Sequence, residues 1–405
     1  MRARFALLAL ACALAPPASA AEPWVAVWAA SPATQPAPAN GALKPLADQT
    51  LRQRLKVGIA GRRLQVTLTN AYGSKPLTVG AASVGRLIGG KLDPASIRPL
   101  TFGGKPSIIV PIGAPALSDP VDLTMAAGAE IAISLYLPQT TLPETYHRPS
   151  NPVEVVGTAS SSGPEAQVSG PGDHTRDVEM PGAAPSPRLF VSRVDIAPAK
   201  PAGAIVVLGT TRQEGDGRWP DILQKRLAAA GRPLAVVNAS MVANPLTHPY
   251  PGGGEAALAR YDRDVLLIPS ARYVILADAA NDIGQAGGLV PLALPSADDL
   301  IAAYRQLTMR ARAQGLKVIA TTMMPMAGAP FPNFYSPEKE KLRGEVNAWI
   351  RTGGAFDAVI DMDAIVRDPA DPLRFAKGLD SANHFTPSLA GEQKLGAAID
   401  LKLFR

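Results

Sequence analysis

The sequence predicts two folding units of different class: an all-β sandwich, then an α/β unit with a parallel sheet covered by helices on both faces. Three observations carry this. Up to about Ile196, apolar residues alternate with polar ones in short runs, as Leu64, Val66 and Leu68 do with Gln65, Thr67 and Thr69. After Gly203 the runs become continuously apolar, with helical patterns between them. Between the two rhythms lies a short, stiff stretch, APAKPAG. Period-two alternation marks strands buried on one face, and unbroken apolar runs mark strands buried on both.

Taken in order, residues 1–20 (MRARFALLALACALAPPASA) read as a secretory signal peptide. Arg2 and Arg4 form its basic start, Phe5 to Ala15 its apolar run, and Ala18-Ser19-Ala20 its cleavage site. That run is too short to span a bilayer as a helix. Cleavage after Ala20 implies a mature chain in the periplasm or outside the cell. It also removes Cys12, the only cysteine, so no disulfide or thiolate chemistry is expected. Lipidation at Cys12 would need a leucine three residues upstream, and none stands there.

Residues 21–197 are the expected sandwich. NAYGSKP closes the Leu64 run as a turn, and Ile131, Ile133, Leu135 and Leu137 alternate before Pro138. Ser160 to Pro187 is rich in Ser, Gly and Pro and is expected as a long surface loop. LFVSRVDI (Leu189 to Ile196) is the last strand, and residues 198–202 are the linker. Residues 203–405 then carry five buried-strand candidates: AIVVLG, LAVVNA, YVILAD, KVIATT and DAVIDM. Ser296 with Asp299 three residues on caps a helix whose stripe is Leu300, Tyr304, Leu307 and Ala311, ended by Gly315. Ser336-Pro337 caps another. The charge of +6 is scattered, without a basic block or interleaved aromatics, which gives nucleic-acid binding no support. No later run is long and apolar enough for a membrane span.

Ligands of parallel sheets bind beyond the carboxyl ends of the strands. The segments there are GTT (209–211), NAS (238–240), AANDIG (279–284) and, before the last helix, DSANHFTPSLAG (380–391). In order and spacing these resemble the blocks of the SGNH/GDSL hydrolase superfamily, in particular its secreted arylesterase and acylhydrolase branch with an N-terminal β-sandwich. RWPDIL, LARYDRDVL, SADDLIAAYRQL, VNAWIRTGGAFDAVID and DPADPLR support the likeness, as do LTNAYGSKPLTVGAASV and SDPVDL in the first unit. The resemblance implies a three-layer α/β/α, flavodoxin-like second domain. It also implies an ancestral serine esterase acting on acylated carbohydrates or similar small esters, without a cofactor.

Carried over by position, the resemblance places Thr210 and Thr211 where the family has Asp and the nucleophilic Ser. Asn383 falls at the acid and Thr386 at the base. Thr211, Ser240 (for glycine) and Asn281 take the oxyanion-hole positions, and Ala279 stands in a usual glycine place. A hydroxyl is nucleophilic near neutral pH only when a correctly oriented base takes its proton. The expectation is therefore a family member with impaired or lost hydrolysis. Two alternatives stay open. One is an active esterase that uses His384, with Asp380 four residues before it. The other is a carbohydrate-binding or scaffolding protein that acts through the β unit, where Trp24 and Trp28 form either a sugar-stacking face or core.

Only four histidines exist: His147, His174, His248 and His384. No two have metal-ligand spacing, so no metal is expected. His248 lies on the loop after the second strand and could overhang the cleft. Glu214 and Asp216 are a carboxylate pair or solvated loop charges, and Asp282 is expected to hold its loop.

Overall fold

The structure, a computed structural model, describes residues 22–34, 43–147, 165–209, 217–250, 254–277 and 279–405. The expected leader with Cys12 lies outside these residues, as do Thr210, Thr211, Glu214 and Asp216. The principal strands of the first part are β1 (Val25–Ala29), β2 (Gln49–Lys56), β3 (Gly61–Thr69), β4 (Ala81–Ile88), β5 (Val121–Met125), β6 (Glu130–Leu137), β7 (Ala166–Pro171) and β8 (Val191–Ala197). One antiparallel sheet runs β1-β8-β3, with β5 on the far side of β3. The other runs β7-β2-β6-β4. The alternating residues Leu64, Val66 and Leu68, and Ile131, Ile133, Leu135 and Leu137, are all buried.

The segment expected as a loop from Ser160 to Pro187 instead contributes β7, paired with β2, and a short edge strand at Ala184–Ser186. Ala166 and Val168 alternate inward and are buried, and the Thr50 N–H donates to Ser169 Oγ at 2.9 Å. Its proline, Pro171, stands at the strand end, where a missing N–H costs no ladder bond. Arg52 holds the chain that follows by donating to the carbonyls of His174, Asp177 and Val178.

Trp28 is core rather than a sugar face. It is buried, meets His147 edge to face at 6.2 Å and lies under the Arg188 guanidinium at 5.7 Å. Trp24 is half-buried, and its carbonyl accepts from Ser270 Oγ at 2.8 Å.

His147 is itself buried, with Nδ1 3.2 Å from the Ser31 carbonyl, and burial pushes its pKa down to about 4. The unfolded chain therefore takes up this proton first as the pH falls. The contribution is complete above pH 6.5 and lost towards pH 4, a decline of roughly 3 kcal/mol at about 1.4 kcal/mol per pH unit. Guanidinium unfolding at pH 7.5 and pH 4.5 checks this: His147→Gln should lose about 2 kcal/mol less than the parent across the interval, and equal losses would refute it.

The second part alternates strand and helix: β9 (Gly203–Gly209), α1 (Trp219–Ala229), β10 (Leu234–Asn238), α2 (Ala257–Tyr261), β11 (Ala271–Ala277), α3 (Ala280–Gln285), α4 (Ala297–Ala313), β12 (Lys317–Thr321), α5 (Pro337–Thr352), β13 (Ala358–Ile360), α6 (Met362–Val366) and α7 (Leu389–Ala398). The five strands are parallel in the order β10-β9-β11-β12-β13. Both expected caps form: Ser296 and Asp299 make a reciprocal capping box on α4, and Ser336 caps α5. No helix among the described residues is long and apolar enough to cross a membrane.

The two parts share one core, since a single buried apolar cluster includes Val25 and Val27 of β1 together with Val206 of β9 and Val237 of β10. Polar contacts reinforce the join. The Ala26 N–H donates to the Pro269 carbonyl at 3.2 Å, and Gln224 Nε2 donates to the Gly58 carbonyl at 3.1 Å.

Candidate functional site

The strand order reverses at β9, so the crevice at the carboxyl ends of β9, β10 and β11 is where a ligand of this architecture sits. Gly209 ends β9 against its neighbour: an added Cβ would lie 2.1 Å from the Ala277 carbonyl oxygen, so only glycine permits this approach. Thr211 follows outside the described residues. Leu389, at the start of α7, approaches the chain again at Gly217, where its Cδ1 would lie 2.9 Å from an added Cβ.

After β10 the chain turns inward. Ser240 is fully buried, its N–H donates to Asn238 Oδ1 at 3.1 Å, and its hydroxyl reaches the Val207 carbonyl at 3.4 Å. The preceding carbonyl, of Ala239, accepts from Ser31 Oγ at 2.9 Å and from Arg260 Nη1 at 2.6 Å. Arg260 is buried and also donates to Ser31 Oγ, Asn244 Oδ1 and Asp264. The first strand unit therefore helps to shape this loop.

Asn281 and Asp282 open α3, and both are buried. Asp282 holds the loop after β10, as expected. Its carboxylate accepts from the Leu246 N–H at 2.6 Å, the Thr247 N–H at 2.8 Å and Thr247 Oγ1 at 2.6 Å. Burial pushes its pKa up, and these hydrogen bonds and nearby His248 oppose the shift. Asn281 Oδ1 accepts from Gln285 Nε2 at 3.1 Å, and the same nitrogen donates to the Ala243 carbonyl at 3.0 Å. A backbone carbonyl can only accept, which fixes both amides and leaves Asn281 Nδ2 as a buried donor without an acceptor. This is the polarity needed to meet a carbonyl oxygen or the oxyanion derived from it.

Ala279, in a usual glycine place, has φ 129° and ψ −5°. L-residues rarely adopt this backbone and pay about 1–3 kcal/mol for it. Ala279→Gly should stabilise the fold by about 1 kcal/mol after the entropy cost of glycine, raising Tm by about 2–4 °C. A melting curve that does not shift upward would count against the strain.

In the last block, Asn383 Oδ1 accepts from Ser381 Oγ at 2.8 Å, the Phe385 N–H at 3.0 Å, the Thr386 N–H at 2.9 Å and Thr386 Oγ1 at 3.1 Å. Thr386 Oγ1 also lies 2.8 Å from Ser381 Oγ. Asn383 and Thr386, where the resemblance expects acid and base, are thus spent on their own turn. His384 sits at its tip with φ 52°, half exposed, its Nδ1 2.5 Å from Asp380 Oδ2. It packs against Gly328 in the segment after β12. Phe385 stacks edge to face on Phe334 at 4.5 Å, and Phe334 covers Gly284 of α3, which ties the last block to the third.

Elsewhere, His174 is engaged by Asp177 at 2.7 Å and by the Pro171 carbonyl at 2.9 Å, within a surface turn of the first part. Among the described residues no group of three His, Cys, Asp or Glu is placed to hold a metal ion. Sequence reasoning missed Arg260 and Gln285, which set the loop and the Asn281 amide. It also missed Lys339, whose buried ammonium ties the end of α3 to the Asn333 carbonyl. LARYDRDVL marks the Arg260 region only as framework, and nothing in the sequence links Gln285 to Ala243.

Comparison with known proteins gives a family match. Residues 205–393 match the model of the GDSL-like Lipase/Acylhydrolase family. Among solved structures, the chain is similar to a GDSL-like lipase from Bacteroides thetaiotaomicron VPI-5482, at 16% identity over 51% of this chain and 91% of that one, TM-score 0.38. It is also similar to the inhibitor-bound aryl esterase of M. smegmatis, at 15% identity over 49% of this chain and 96% of that one, TM-score 0.38. No curated protein matches the sequence.

Proposed function

With residues 205–393 forming a GDSL-like lipase/acylhydrolase domain, we propose that this protein is an exported member of the family that keeps the ligand cleft and has lost ester hydrolysis. Its ligand is a small ester, such as an acylated carbohydrate, bound rather than turned over. One observation carries the reading: Asn383 and Thr386, at the positions of acid and base, satisfy each other and Ser381. A threonine cannot take the proton that Thr211 would have to lose, and removing one member of such a unit costs nearly as much as removing all. Asn281 Nδ2, still unpaired, supports continued recognition of a carbonyl group.

A second reading has one observation in its favour, the Asp380–His384 contact at 2.5 Å, which is the pairing a rebuilt base would need. Against it stands the exposure of His384, whose side chain is 51% open at the tip of its turn beside Gly328. The experiment is hydrolysis of a short-chain aryl ester by residues 21–405, with Thr211→Ala and His384→Ala in parallel. Background rates in all three are expected. Turnover that disappears in either variant would replace this reading with that of an active esterase.

A further inference from the structure

We propose that His248 is a ligand-binding residue that, together with Asn281 and Gln285, selects a carbonyl compound bearing a free hydroxyl close to its acyl group. This rests on the reading of the domain as an ester-binding cleft and adds a recognition element to it. Three buried polar atoms of α3 and the loop beside it have no hydrogen-bond partner: Asn281 Nδ2, Gln285 Oε1 and His248 Nε2. Each such atom is expensive to leave unpaired, so three of them on adjoining elements call for a partner.

Asn281 and Gln285 are one helical turn apart on the same face of α3. The loop from Ala243 to His248 runs alongside that helix. It is pinned at one end by Gln285 Nε2 on the Ala243 carbonyl and at the other by Asp282 on Leu246 and Thr247. His248 follows directly, with Nδ1 3.7 Å from Asp282 Oδ1 and a side chain only 14% exposed.

The polarity of each orphan atom follows from its partners. His248 Nδ1 lies 3.5 Å from Thr247 Oγ1, whose own proton goes to Asp282 Oδ1, so Nδ1 carries the ring proton and Nε2 is an acceptor. Gln285 Oε1 is an acceptor because its amide nitrogen is already committed, and Asn281 Nδ2 is a donor. Together the three atoms offer one donor and two acceptors. An ester carbonyl satisfies the donor. A ligand hydroxyl or N–H satisfies the acceptors, and partially acylated polyols carry both groups within a few bonds.

Ethylene glycol monoacetate and 2-methoxyethyl acetate test the assignment, because they differ only in whether the hydroxyl is free or capped. Ligand-observed NMR titrations should give the parent protein at least tenfold preference for the free alcohol. His248→Phe should abolish that preference by weakening the binding of the free alcohol. His248→Gln, which keeps an acceptor, should retain part of it and serves if the phenylalanine variant does not fold. Asn281→Asp, which removes the donor alone, should weaken both probes. Equal affinities in the parent, a preference that survives His248→Phe, or no binding of either probe would overturn the assignment. Release of acetate by the parent is a separate outcome: it would sink the loss of hydrolysis and leave the role of His248 to the titrations.

Discussion

Replacing Arg260 with methionine is expected to destabilise the protein by about 3–5 kcal/mol, the largest single effect in the molecule. Its guanidinium is buried between the two parts of the chain. It meets Asp264 at 3.0 Å, Asn244 Oδ1 at 2.9 Å, Ser31 Oγ at 3.0 Å and the Ala239 carbonyl at 2.6 Å. Methionine fills similar volume but leaves Asp264, itself buried, with only Arg263 to offset its charge. Breaking a buried pair from one side costs far more than the pair contributes, because the remaining charge stays desolvated. Guanidinium unfolding should show the midpoint displaced towards lower denaturant at unchanged slope, while a loss below about 1 kcal/mol would mean that water replaces the guanidinium. Arg260→Lys should also be damaging, because an ammonium cannot reproduce the planar fork that reaches these partners together.

The second large effect is a gain. The combined change Thr211→Ser, Asn383→Asp and Thr386→His should raise aryl-ester hydrolysis at least about a hundredfold over the parent, with each single change giving little. Asn383→Asp keeps the acceptor oxygen that now receives the Phe385 and Thr386 N–H groups, so the turn would survive. The same change adds the charge that holds an imidazole in the productive tautomer. Full family rates are not expected, because the Ser240 N–H is already committed to Asn238 Oδ1 and Asn281 would stabilise the oxyanion with less help. If Thr211→Ser alone matched the triple variant, a base would already be present and the proposed loss of hydrolysis would be wrong.

How much of this could be read beforehand differs between fold and site. The five apolar runs after Gly203 are the five strands of the parallel sheet, because a strand covered on both faces must be apolar throughout. Ser296 and Ser336 mark helix starts because a capping side chain acts within three residues of itself. The strand at Ala166–Pro171 is hidden by Ser, Gly and Pro, since its reason to be extended is the partner strand β2, more than a hundred residues earlier. At the site, the blocks could be ordered along the chain, and the loop-holding role of Asp282 was legible beside Asn281. The Asp380–His384 pairing could be foreseen only as a possibility of a shifted loop. That Asn383 and Thr386 close on each other needed the turn itself.

By itself the sequence determined the two-part architecture, the strands and caps of the second part, the family likeness and that Asn383 and Thr386 stand where the resemblance expects an acid and a base. Those properties depend on periodicity, on residue type and on contacts a few positions apart. Only the tertiary structure decided that Trp28 is core, that Ser31 and Arg260 bind the first part to the loop carrying His248, and which end of the Asn281 amide is free. Each of these depends on atoms brought together from distant parts of the chain, where burial and unmet hydrogen bonds, rather than local propensity, set the free energy.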